Sequence, residues 1–113
     1  MATSDSDRRL DVVVFGATSF VGKILCSYLT GRHGTNGSLR WAIAGRNADK
    51  LDAVTVHTGA GVEQIVADAS DAVAMAKMVA DTRIVISTVG PYALYGSELV
   101  RACAAAGTDY CDL

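Results

Sequence analysis

Short runs with strand character alternate along this chain with stretches whose apolar residues recur at helical spacing. Residues 10–15 (LDVVVF) are the first such run, cut off by Gly16, as expected of a strand buried on both faces. Val21, Ile24, Leu25, Tyr28 and Leu29 then fall at i, i+3, i+4, i+7 and i+8, which predicts an amphipathic helix capped by Gly31. Turn formers fill residues 31–38, GRHGTNGS, and read as a flexible loop. Residues 39–44 predict a second strand closed by Gly45, and Asn47 can cap a helix running to His57. Beyond the TGAG turn, residues 63–67 predict a short third strand. Ser70 is placed to cap a third helix, with Asp71 in the first turn where the positive dipole end favours a carboxylate. Residues 83–88 predict a fourth strand, 97–106 a fourth helix stopped by Gly107, and 109–113 a fifth strand.

Strands and helices alternating over short links imply parallel pairing through right-handed crossovers. The expected fold is α/β: a Rossmann-type doubly wound sheet of five strands in order 3-2-1-4-5, with helices on both faces. At 113 residues the chain is the size of one domain. That domain is expected over residues 10–113, behind a polar opening, residues 1–9, that frays.

Half of the chain is hydrophobic, which excludes a disordered polymer. Ten basic residues against twelve acidic ones give a net charge of −2, and no basic stripe is present to neutralise a phosphate backbone. Nucleic acid is therefore not an expected partner. The apolar run at 12–15 is too short for a signal peptide core or a transmembrane segment. Three widely spaced cysteines, Cys26, Cys103 and Cys111, make no disulfide framework and suggest a reduced, cytoplasmic protein.

The chemistry gathers where strands end. The turn after the first strand reads Gly16-Ala17-Thr18-Ser19-Phe20-Val21-Gly22. Gly16 lets the backbone leave the strand sharply, and the next helix opens with unpaired N–H groups and a positive dipole end. Together these make a site for a pyrophosphate. Small residues at 17–19 allow close approach, Thr18 and Ser19 add hydroxyls, and Gly22 permits close helix–sheet contact. Ser19 stands where a GxxGxxG pattern would place its middle glycine.

At the end of the second strand, a reader of the unphosphorylated ribose would carry Asp or Glu. Here Ala44-Gly45-Arg46-Asn47 stands instead, with Lys50 one turn later. A guanidinium holds a phosphate through paired hydrogen bonds, which suits the adenosine 2′-phosphate of NADP(H). The alternative, ordinary solvated charges at a helix start, is the less favoured one, because cations there oppose the helix dipole. Asp68 either accepts from an adenine amino group or serves as a turn residue. Thr88, Val89, Gly90 and Pro91 form a small-residue turn at the topological switch point. Tyr92 and Tyr95 follow it, placed either to line the nicotinamide side or to pack on a neighbouring domain.

The segments GATSFVGK, AGRNADKL and STVGPYALYGSELVRACAAAGTDYCDL, in this order, resemble the NADP-binding part of saccharopine dehydrogenase-like oxidoreductases, in the branch of the trans-acting enoyl reductases. The resemblance covers nearly all of the chain after Arg9. It implies dinucleotide contacts from Gly16, Ala17, Thr18, Ser19, Phe20 and Val21, from Arg46, and from Thr88, Val89 and Gly90. In that family a second domain covers the nicotinamide, and the resemblance supplies no catalytic residue here. None of the four tyrosines begins a Tyr-x-x-x-Lys pair, and His33 and His57 lack metal-ligand spacing.

The reading is an NADP(H)-binding domain of an oxidoreductase that transfers hydride. A small-molecule or lipid-like substrate would be held by a domain outside this chain, which alone is expected to bind without turnover. The alternative is a non-catalytic NADP-binding sensor or interaction module. Tyr92, Leu94, Tyr95 and Leu113 are the candidates for exposed apolar surface that promotes self-association.

Overall fold

The computed structural model describes residues 8–88 and 97–112. The elements are β1 (Leu10–Phe15), α1 (Phe20–His33), β2 (Trp41–Gly45), α2 (Ala48–Thr58), β3 (Glu63–Val66), α3 (Ala72–Ala80), β4 (Thr82–Ser87), α4 (Ser97–Ala106) and β5 (Asp109–Asp112). All strand pairs are parallel, and the sheet runs β3-β2-β1-β4-β5. This is the doubly wound order that the alternation predicts.

The central strands are buried because each faces helices on both sides. On one face Val13, Phe15 and Val85 pack with Met75, Val79, Leu99 and Cys103 from α3 and α4. On the other, Val14 and Ile43 pack with Cys26 and Leu29 of α1 and Leu51 and Val54 of α2. Burial raises the thiols of Cys26 and Cys103 to about 11, which keeps both as inert apolar packing groups.

The structure corrects several local expectations. The apolar positions whose spacing predicts α1 are largely not the ones it buries. Gly22, Cys26 and Leu29 face the sheet, while Phe20, Val21, Ile24 and Tyr28 are exposed. The stripe chosen from the sequence follows the large apolar residues and passes over Gly22 and Cys26, yet these small residues are what let the helix lie close. Gly31 does not cap α1. The helix runs on to His33, and Gly34, at φ 71°, closes it with an N–H bond to the Thr30 carbonyl.

Asp71, not Ser70, caps α3, its carboxylate accepting from Val73 and Ala74 N–H. The reason is local: Asp68 Oδ1 accepts from both the backbone N–H and the hydroxyl of Ser70. Ser70 is thereby engaged in a turn before the helix begins.

Of the polar opening, Arg8 and Arg9 are described, and both are held by partners. Arg8 is buried. Its Nη1 donates to the Thr82 carbonyl at 2.7 Å, the Val79 carbonyl at 3.2 Å and the Thr108 hydroxyl, and its Nη2 donates to the Ala106 carbonyl at 2.6 Å. One planar fork thus satisfies carbonyls left over at the ends of α3 and α4. Arg9 pairs with Glu63 and with Asp81.

At the same, amino-terminal edge of the sheet, Asp11 bridges Arg40 and Arg83. The hydrogen bonds from the Arg40 guanidinium, then its backbone N–H and the neighbouring charges, hold the Asp11 carboxyl below the usual carboxylate range.

Candidate functional site

The opposite edge, where parallel strands end in loops, carries the candidate site. At its centre is the turn between β1 and α1. Gly16 takes φ 84°, a left-handed value that only glycine adopts without strain. Its N–H and that of Ala17 both reach the Ala44 carbonyl, at 2.9 and 3.2 Å, so the turn is anchored on β2. Ser19 caps α1 by accepting the Gly22 N–H at 2.9 Å. The backbone N–H groups of Phe20 and Val21 have no hydrogen-bond partner among the described residues. They are the orphan donors at the positive end of a 14-residue helix, where an anion is favoured.

A cavity of about 360 Å³ opens beside this turn, lined by Phe15, Gly16, Thr18, Ser19, Gly45, Arg46, Ala67, Asp68, Ala69 and Thr88. Four strand ends converge on it. The Ala67 N–H bonds the Gly45 carbonyl at 2.9 Å, and the Thr88 N–H bonds the Phe15 carbonyl at 2.9 Å. Asp68 is held below the ordinary carboxylate range, first by the Ser70 N–H, then by the Ser70 hydroxyl, and also by the nearby Arg46 charge. The carboxylate and the guanidinium therefore share the mouth of one groove.

Of the residues singled out from the sequence, the groove brings together Gly16, Thr18, Ser19, Arg46, Asp68 and Thr88. It does not include the others that are described. Ala17 points into the core and is fully buried. Phe20 and Val21 direct their side chains to solvent and offer only backbone. Lys50 lies in the first turn of α2, exposed, its N–H bonded to the capping Asn47 side chain. Val89, Gly90, Pro91, Tyr92, Leu94, Tyr95 and Leu113 lie outside the described residues.

Sequence reasoning missed Ala67 and Ala69 as groove walls, and it missed a hydroxyl contact between Ser19 and Thr88 at 2.9 Å. Only the adjacency of β1 and β4 could have hinted at that contact. Among the described residues, no three or more His, Cys, Asp or Glu side chains gather to hold a metal ion, and no helix is long and apolar enough to cross a membrane.

Several known proteins are similar to this chain. The family model for the saccharopine dehydrogenase NADP binding domain matches residues 12–113. A trans-acting enoyl reductase of Mycobacterium tuberculosis is 42% identical over 113 residues, a match covering 97% of this chain and 26% of that protein. The trans-acting enoyl reductase of Mycobacterium leprae is 41% identical with the same coverage. The chain thus spans about a quarter of the length of the curated relatives it matches. Among solved structures, saccharopine dehydrogenase (L-Glu forming) from Saccharomyces cerevisiae superposes with a TM-score of 0.74 at 24% identity, over 91% of this chain and 21% of that one. The Citrobacter triphenylmethane reductase complexed with NADP(H) gives 0.70 at 21% identity, over 88% and 35%. At such identities the likeness is one of fold.

Proposed function

The chain belongs to the saccharopine dehydrogenase NADP binding domain family, and from that premise we propose that the groove at the carboxyl edge of its sheet holds NADP(H). The pyrophosphate lies on the Phe20 and Val21 N–H groups, the 2′-phosphate of the adenosine ribose on Arg46, and the adenine beside Ala67, Asp68 and Ala69. Lys50, one turn into α2, adds long-range positive charge rather than contact. Thr88 lines the route toward the nicotinamide.

The observation that carries this reading is Arg46. It opens onto the same groove as the phosphate turn, at the end of β2, where a carboxylate would instead accept from an unmodified ribose. A charge-assisted guanidinium–phosphate contact is roughly twice as strong as a neutral one. NADP(H), once bound, supplies the hydride; the protein's part is to fix its orientation and shape the electrostatics around it.

The names of the relatives support a wider reading in which the whole protein is an oxidoreductase that reduces an enoyl group. The 113-residue chain then binds cofactor without turnover, because hydride transfer needs donor and acceptor held about 3–3.5 Å apart with water excluded. Residues beyond this quarter-length unit would hold the small-molecule or lipid-like substrate. Two buried free cysteines, Cys26 and Cys103, are in keeping with a cytoplasmic setting. Titrating the chain with NADPH and with NADH tests the reading; tighter binding of NADPH supports it, and equal binding refutes the assignment of Arg46.

A further inference from the structure

We propose that Ser19 and Thr88 form a latch that positions the phosphate-binding end of α1, and that the Ser19 hydroxyl is a structural donor, not a ligand donor. The inference rests on the dinucleotide reading above and adds a positioning pair to it.

Counting protons decides the direction of each bond. Thr88 Oγ1 lies 2.6 Å from the Gly16 carbonyl oxygen, 3.2 Å from that of Phe15 and 2.9 Å from Ser19 Oγ. Carbonyl oxygens only accept, so the single hydroxyl hydrogen of Thr88 goes to Gly16, the shorter contact. The hydrogen between the two hydroxyls must then come from Ser19. Ser19 Oγ in turn accepts the Gly22 N–H at 2.9 Å.

The chain of donors runs from Gly22 to Ser19 to Thr88 to the Gly16 carbonyl, which also accepts the Ser19 N–H at 3.0 Å. The ring closes the phosphate turn upon the end of β4. Glycine at position 19 could make neither the cap nor the bridge to Thr88. Thr18 lines the same groove, and its hydroxyl has no hydrogen-bond partner among the described residues. Thr18 is the hydroxyl left for a phosphate.

A fixed α1 terminus aims the Phe20 and Val21 N–H groups before the ligand arrives, which lowers the ordering cost of binding. The effect is confined to the pyrophosphate. A ligand that carries the 2′-phosphate and adenine but no pyrophosphate should not feel it.

The test measures binding of NADPH and of adenosine 2′-monophosphate to the chain and to Ser19→Ala, Thr88→Val and the double variant. A neutral hydrogen bond corresponds to roughly a threefold to tenfold change in affinity. Each single variant is expected to lose that factor for NADPH, the double variant to lose no more than either, and binding of the monophosphate to be unmoved. Thr88→Ser should regain what Thr88→Val loses. Were Ser19→Ala to unfold, the isosteric Thr88→Val still carries the comparison.

Thr88→Val that binds NADPH as well as or better than the parent would overturn the latch, since it would mean a freed Ser19 hydroxyl serves the phosphate. Independent, multiplying losses, or a parallel loss for the monophosphate, would overturn it too. A parent chain that binds neither ligand overturns the dinucleotide reading itself, whereas a parent that binds both with unaffected variants overturns the latch alone.

Discussion

A methyl group placed on Gly22 would lie 2.5 Å from the carbonyl oxygen of Gly16 and 2.8 Å from Ala17 Cα. Both obstacles are backbone, and both belong to the turn that anchors on β2, so neither can rotate away as a side chain would. The first turn of α1 therefore rests directly on the phosphate turn, and the residue at 22 has no room for a Cβ. This contact sets where the orphan N–H groups of Phe20 and Val21 point.

Gly22→Ala should force α1 off the turn. Overpacking of this kind costs about 1–3 kcal/mol, and NADPH binding should fall with it. Gly31→Ala is the matched control in the same helix. Nothing lies within 4 Å of its added methyl, and alanine in a helix gains about 0.5–1 kcal/mol over glycine. Urea unfolding of the two variants should shift the midpoint in opposite directions; shifts in the same direction would contradict the packing argument.

Arg46→Ala removes the proposed 2′-phosphate contact and nothing from the pyrophosphate cradle. Charge-assisted hydrogen bonds are worth on the order of 1.5–3 kcal/mol, so NADPH affinity should fall roughly tenfold to a hundredfold while NADH affinity stays nearly constant. Calorimetric titration of both cofactors reads the difference. A loss of equal size for NADH would assign Arg46 to the common part of the ligands.

Arg8→Met keeps much of the side chain's bulk but deletes the fork that ties the ends of α3 and α4 to β4. The carbonyls of Val79, Thr82 and Ala106 would lose a charged donor, and a cost of about 3 kcal/mol is expected from such losses. Denaturant unfolding measures it. A change within about 0.5 kcal/mol, as for an ordinary surface site, would mean that the guanidinium is dispensable.

Asp11 gives a pH signature. Its folded pKa lies below the ordinary 3.8 because of Arg40, so the unfolded chain binds more protons in that window. The stabilisation is fully present above the ordinary value and is lost as pH falls through the lower folded one. Asp11→Asn should cost about 1 kcal/mol at neutral pH, since both arginines are half exposed. The difference from the parent chain should shrink as the pH drops below about 4. A pH-independent difference would point to packing, not charge.

The order of the sheet was legible because each strand is a short run ended by a glycine or a small polar turn and followed by a helical stretch, and crossover handedness leaves few topologies. The groove's centre was legible for a related reason. Gly16 and Arg46 sit at fixed offsets from strand ends, and the chemistry of those offsets is general. What escaped was contact between residues distant in sequence. Nothing around Ser19 announces Thr88, and nothing in a polar opening announces that Arg8 is buried under α4. The buried face of α1 was illegible for a different reason. Its sheet-facing positions are Gly22 and Cys26 beside Leu29, whereas the conspicuous apolar residues Phe20, Ile24 and Tyr28 face outward.

The most direct test of the central claim is a calorimetric comparison of NADPH and NADH binding to the unmodified chain. Trp41 begins β2 at the edge away from the groove, its indole N–H bonded to the Gly34 carbonyl, so heat is a more direct signal than tryptophan fluorescence. NADPH bound roughly tenfold to a hundredfold more tightly than NADH is the result the Arg46 groove predicts. Equal affinities, or a preference for NADH, would contradict it.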